Sequence, residues 1–203
     1  MITLLTGGPG SGKSTIAKLV AKRFSRCAVI NVDELREFMV SGRAPPEQGW
    51  GDAVVQEFLR ARATAIFMAR LYASQGIEVI VDDVCVPPEF VDHYAPLFAD
   101  PGARRILLNP SAAAIIRRME LRRNPWDEML IPRVPQLAEQ LARMPKGGWT
   151  VIDSSDWTIE RTAEAVLRAM SVESNGPAGT ARPGSPPRAP ARGSRMGRPP
   201  RRG

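Results

Sequence analysis

The stretch "LLTGGPGSGKSTIAKLV", residues 4–20, constrains this chain more than any other. An apolar run enters a loop with glycines at 7, 8, 10 and 12, and a helical stripe of Ile16, Leu19, Val20 and Phe24 leaves it. Gly7, Gly12, Lys13 and Ser14 satisfy G-x-x-x-x-G-K-[ST] in the strand–loop–helix setting that the motif needs. Gly7, Gly8, Gly10 and Gly12, with Pro9 and Ser11 between them, let successive N–H groups curl around one anion. The dipole of the following helix, in whose first turn Thr15 falls, adds positive potential at the same point. The expected ligand is a nucleoside triphosphate such as ATP, with Lys13 on its β- and γ-phosphates and Ser14 on Mg²⁺.

The rest of the pattern alternates strand and helix. Short apolar runs at 2–6, 27–32, 77–81, 105–109 and 149–153 read as buried parallel strands. Helical periods lie between them. One carries Val54, Val55, Phe58, Leu59, Ile66 and Phe67 and is closed by Gly76; others span 111–123, 134–143 and 158–170, the first opening on Ser111 and the last on Thr158. The sum is an α/β, P-loop NTPase fold: a five-stranded parallel sheet with helices on both faces and a short lid.

Two further places carry chemistry. "VIVDDV" ends the third apolar run in Asp82 and Asp83, whose side chains point to opposite sides of a strand, so one of the two is the second magnesium group. In "NVDELREFMVSGR", Asp33 closes the second run and Arg36 follows one helical turn later, both over the carboxyl edge where open α/β sheets bind ligands. A carboxylate there can take the proton of an attacking hydroxyl, and an arginine there can hold an anionic substrate bidentately. Residues 36–62 would line the acceptor pocket, with apolar surface from Phe38, Met39, Trp50 and Phe58.

The formal charge of +7 suggests a nucleic-acid ligand until it is located. Seven arginines against the single acid Glu173 put nearly all of it after residue 170, which leaves the rest close to neutral. That segment is Pro, Gly, Ser, Ala and Arg with hardly any large apolar side chain, too little to offset its ordering entropy. The expected organisation is a P-loop kinase domain at 1–172 and a disordered Pro/Gly/Arg-rich tail at 173–203, with at most weak, salt-sensitive nucleic-acid contact through the tail. Cys27 and Cys85 have no metal-ligand or paired spacing, and no apolar run is long enough to span a bilayer. A cytoplasmic monomer or dimer without a membrane partner is the expectation.

Walker loop, "VDELR", "VIVDD" and "IIRRMELRRN", in that order, resemble the nucleoside monophosphate kinase-like group of P-loop kinases over roughly residues 1–170. Adenylate kinases carry an arginine, three residues and two further arginines where the lid begins, matched here by Arg118, Arg122 and Arg123. The resemblance implies that Arg118 lies against the adenine, that Arg122 reaches the triphosphate, and that Arg133, beyond the short lid "NPWDEMLIP", contacts the transferring phosphoryl group. Those enzymes end the third strand in Asp-Gly-Phe-Pro-Arg, whose arginine grips a monophosphate acceptor; this chain has "DDVCVPPEF" without an arginine. It is closer there to chloramphenicol phosphotransferase-like kinases, and "TGGPGSGKST" with the Asp33–Arg36 spacing is similar to polynucleotide kinase-type domains. Both imply a hydroxyl acceptor, with Asp33 as base. The resulting expectation is an ATP- and Mg²⁺-dependent kinase acting on a small-molecule hydroxyl. Alternatives are a nucleoside or polynucleotide 5′-hydroxyl kinase and a nucleotide-binding switch with little turnover.

Overall fold

Five strands form one parallel sheet in the order β2-β3-β1-β4-β5 in the computed structural model, which describes residues 1–44, 51–86, 88–144 and 147–171. They are β1 Ile2–Gly7, β2 Cys27–Asn31, β3 Glu78–Asp83, β4 Arg104–Leu108 and β5 Thr150–Ile152, close to the spans expected from the apolar runs. The chain leaves β1 toward one edge of the sheet and β4 toward the other. The connections therefore diverge at the carboxyl ends of these two central strands, the place where such sheets bind ligands.

Alternation along the strands fills both faces. Ile2, Leu4, Val79 and Val81 pack on one side against α3 Asp52–Ser74, while Leu5, Ile80, Ile106 and Leu108 pack on the other against α1 Lys13–Ala21 and α8 Ile159–Ser171. The remaining helices are α2 Val32–Glu37, α4 Ala95–Phe98, α5 Ala112–Arg122, α6 Asp127–Leu130 and α7 Val134–Ala142, with 3₁₀ turns at Pro88–Tyr94 and Ile131–Arg133. Ile115, Met119 and Val134 form a small separate cluster under α6, so the lid has apolar support of its own.

Two local expectations are corrected. The buried face of α3 is Val54, Phe58, Ala61, Ala65 and Ala69, whereas Phe67 is 69% exposed. Alanines let the helix lie close to the sheet, Phe67 and Leu71 turn outward, and Glu57 and Arg62 are buried. Asp33 does not close β2, which ends at Asn31. The Asn31 side chain caps α2 by accepting from the Glu34 N–H at 3.1 Å, and Asp33 sits in the first helical turn. Gly76 follows α3 at φ 71°, as its predicted role requires. Trp50 and segment 173–203 lie outside the described residues. Among the described residues no helix is long and apolar enough to cross a membrane.

Candidate active site

The loop from Gly7 to Gly12 leaves β1 under α5. Its turn is closed by the Ser11 N–H on the Gly8 carbonyl at 3.1 Å, and Gly12 enters α1 at φ 95°. No side chain caps the first turn of α1, so its leading N–H groups are left for a ligand. The Ser11 hydroxyl is buried without a hydrogen-bond partner, and Lys13 is nearly buried beside it. A Cβ at Gly10 would meet Met119 at 2.8 Å, and one at Gly7 would meet the Leu108 carbonyl at 2.6 Å and the Ser11 Oγ at 2.7 Å. The Leu108 oxygen belongs to the paired strand and cannot retreat, so Gly7→Ala should cost roughly 1–3 kcal/mol and distort the loop. Thermal melts would check this; a variant that melts with the parent would show that the loop tolerates the methyl.

At the end of β3 the two adjacent carboxylates part company. Asp82 faces the α1 side, where the Asn31 amide donates to its Oδ2 at 2.9 Å while Oδ1 is buried without a partner. Loss of hydration raises its pKa. Lys13 and the nearby Ser14 hydroxyl pull it down, and Asp33 and Asp83 push it up again. Asp83 turns the other way, accepting from the Arg62 Nε at 2.7 Å and the Tyr94 hydroxyl at 2.9 Å. Burial works against the Arg62 charge, but Asp83 overrides it and holds the guanidinium above its ordinary value.

Asp33 stands at the mouth of the same cleft with its side chain 59% exposed. Its carboxyl is pushed above the ordinary carboxylate range by the protein crowding the cleft, a shift that Lys13 opposes, Asp83 adds to, and Arg36 and Arg62 oppose. Arg36, expected to hold an anionic substrate, already has counter-charges: Asp33 at 3.9 Å and Glu57 at 3.7 Å, with its guanidinium 3.9 Å from the Phe58 ring centre.

Of the lid arginines, Arg118 reaches the loop. It donates to the Ser11 carbonyl at 3.2 Å and the Ser154 carbonyl at 2.5 Å, bridging the glycine loop to the segment after β5. Burial, then Arg117, lowers its pKa against the pull of Asp153. Arg122 instead makes a two-point pair with Asp127 at 2.6 and 2.5 Å, and that hydrogen bonding raises the Arg122 pKa and lowers that of Asp127. Arg133 is exposed at the end of the 3₁₀ turn before α7. The structure thus brings Lys13, Ser14, Asp33 and Asp82 to one cleft, ties Arg118 to the glycine loop, and leaves Arg122 and Arg133 on the lid.

Asn31, Glu57, Arg62 and Tyr94 were not singled out from the sequence. "EFLRAR" held a signal, since Glu57 and Arg62 flank the apolar face of Phe58 and Ala61 at helical spacing.

The ligands implied by the motif fit these residues. The glycine cradle has no room for side chains at Gly7 or Gly10, and the orphaned Ser11 Oγ and Asp82 Oδ1 are buried polar atoms in need of a partner. Among the described residues no group of three or more His, Cys, Asp or Glu side chains forms a metal cage. Magnesium held by a few protein oxygens together with substrate phosphates needs no such cage.

The model of an AAA domain family matches residues 2–146. No curated protein matches the chain significantly. Solved structures of the same fold include a sugar kinase from Janibacter sp., 21% identical, covering 83% of this chain and 93% of its own with a TM-score of 0.60. A shikimate kinase from Bacteroides thetaiotaomicron is 18% identical over 85% of this chain and 99% of its own, TM-score 0.58. A gluconokinase from Sinorhizobium meliloti is 18% identical over 83% and 90%, TM-score 0.56.

Proposed function

This chain belongs to that AAA domain family, and from this we propose that it is an ATP- and Mg²⁺-dependent phosphotransferase that moves the γ-phosphoryl group to a small-molecule hydroxyl. The observation that carries the reading is the convergence of Lys13, Asp82 and Asp33 at one cleft, where the Lys13 charge opposes the rise that burial gives both carboxyls and Asp33 adds to that of Asp82. A triphosphate cradle alone would serve a switch equally well. A carboxylate at the cleft mouth that neither caps its helix nor closes its strand is what an acceptor hydroxyl needs.

The residues divide the work as follows. Backbone N–H groups of the glycine loop and Lys13 bind the phosphates and balance charge as it moves to the leaving oxygen. Ser14 and Asp82 would hold Mg²⁺, which when bound neutralises β- and γ-phosphate oxygens. Asp83, whose Oδ2 is committed to Arg62 and Tyr94, is assigned a structural role. Asp33 orients the acceptor hydroxyl and takes its proton as the oxygen–phosphorus bond forms and the β–γ bridging bond breaks to release ADP. Arg118 supports the nucleotide side of the cleft, and Arg122 and Arg133 are the lid's candidates for the triphosphate. The fold neighbours named as sugar, shikimate and gluconate-type kinases are consistent with a small hydroxyl acceptor. A chloramphenicol phosphotransferase-like acceptor is within the same class.

Lys13→Ala tests the nucleotide half of the reading. Removal of a cation from a preorganised, nearly buried position should weaken ATP binding by about 10²-fold or more in calorimetry and abolish acceptor-stimulated ATP consumption. Parental binding and turnover in a folded variant would overturn the loop assignment.

A further inference from the structure

Resting on the phosphotransferase reading, we propose that the acceptor is a small uncharged polyhydroxy compound, bound between α2 and α3 and recognised through the Arg36–Glu57 pair. A cleft of about 250 Å³ opens there, lined among the described residues by Leu35, Arg36, Met39, Glu57, Arg60 and Thr64, with others. Its volume lies just below the usual range for ligand sites, which run from about 300 Å³ upward.

Two of its charged side chains are more than nine-tenths buried, Arg36 at 9% exposure and Glu57 at 4%. They do not satisfy one another. Arg36 NH2 stands 3.7 Å from Glu57 Oε2, beyond a hydrogen bond, and these two atoms together with Arg36 Nε have no hydrogen-bond partner. The other Glu57 oxygen accepts from the Ala44 N–H, which fixes the carboxylate in place. Buried charged groups left in this condition are costly, so they specify what completes them. A hydroxyl completes both, because its oxygen accepts from the guanidinium while its proton is donated to the carboxylate. Neighbouring hydroxyls on one carbon chain would satisfy all three orphan atoms together.

Charge excludes the common competitors. The charged side chains that line the cleft are Arg36, Arg60 and Glu57, and Asp33 stands 3.9 Å from Arg36. A carboxylated or phosphorylated acceptor drawn to Arg36 would bring its own charge onto Glu57 in a partly desolvated site, where like charges repel more strongly than in water. An ammonium drawn to Glu57 would meet Arg36 in the same way. Asp33, 3.9 Å from Arg36, places the base beside the hydroxyls so bound.

The test is acceptor-stimulated ATP consumption by the full chain across matched series: neutral hexoses and hexitols, the corresponding aldonates, the hexose 6-phosphates and the amino sugars. The expected result is turnover with a neutral member whose kcat/KM exceeds that of its charged counterparts by at least about tenfold, roughly 1.4 kcal/mol of discrimination. Glu57→Gln, which keeps an oxygen for the Ala44 N–H but loses the charge, should shrink that ratio by about tenfold while the KM for ATP stays unchanged. Turnover confined to charged acceptors, equal turnover of both kinds, no neutral acceptor at all, or a Glu57→Gln variant that depresses every acceptor alike would each overturn the proposal. The first two would leave the phosphotransferase reading standing, and that reading is judged apart by the Lys13-dependent binding of ATP.

Discussion

Asparagine at position 33 should lower acceptor phosphorylation by about 10²-fold or more while ATP affinity stays within a factor of about two. The substitution keeps the size of the side chain and removes only its capacity to take a proton. Structural reasons for an aspartate here are few. Asn31 already caps α2, and the Asp33 side chain is 59% exposed. Stability should therefore change by no more than about 0.5 kcal/mol. Calorimetry with ATP and initial rates with an identified acceptor separate the two contributions. A folded, ATP-binding Asp33→Asn protein with parental turnover would remove the base and favour a nucleotide-binding switch instead.

Arg62→Met should be the most damaging single change to the fold. It strips the guanidinium from Asp83, which is 1% exposed and would be left as an uncompensated buried carboxylate, at a cost of about 3–5 kcal/mol. The same guanidinium also lies 4.3 Å from the Phe90 ring centre and donates to the Val84 carbonyl, so α3, β3 and the following turn loosen together. Chemical denaturation would measure the loss. The double variant Arg62→Met, Asp83→Asn should recover part of it, because the stranded charge is gone. Additive losses in the double variant would show that Asp83 is not what Arg62 stabilises.

The shape of the glycine loop was legible because its mechanics are local: four glycines, a lysine and a serine fall within eight residues of one another. The division of labour between Asp82 and Asp83 was not. Strand alternation says that neighbours point apart, but which of the two pairs with a guanidinium was decided by Arg62, a residue 21 positions away on another element. In the same way Arg36 reads alone as a grip for an anion, and only the packing of α3 against α2 reveals Glu57 beside it. The "IIRRMELRR" segment was visible as a helix, yet the partner of Arg122 was not, since Asp127 reaches it only because Arg123 turns the chain at φ 50°. Phe67 was placed on the buried stripe by its apolarity, whereas alanines at 61, 65 and 69 set the approach of α3 and left it outside. What the sequence concealed was tertiary pairing between elements.

The destination of the γ-phosphoryl group decides the account. With γ-labelled ATP, Mg²⁺ and a neutral polyhydroxy acceptor, the label should appear in an organic phosphate ester, together with ADP in equal amount, and should fail to appear with Lys13→Ala. Label recovered only as inorganic phosphate, at a rate no acceptor changes, would contradict a phosphotransferase built on Lys13, Asp82 and Asp33.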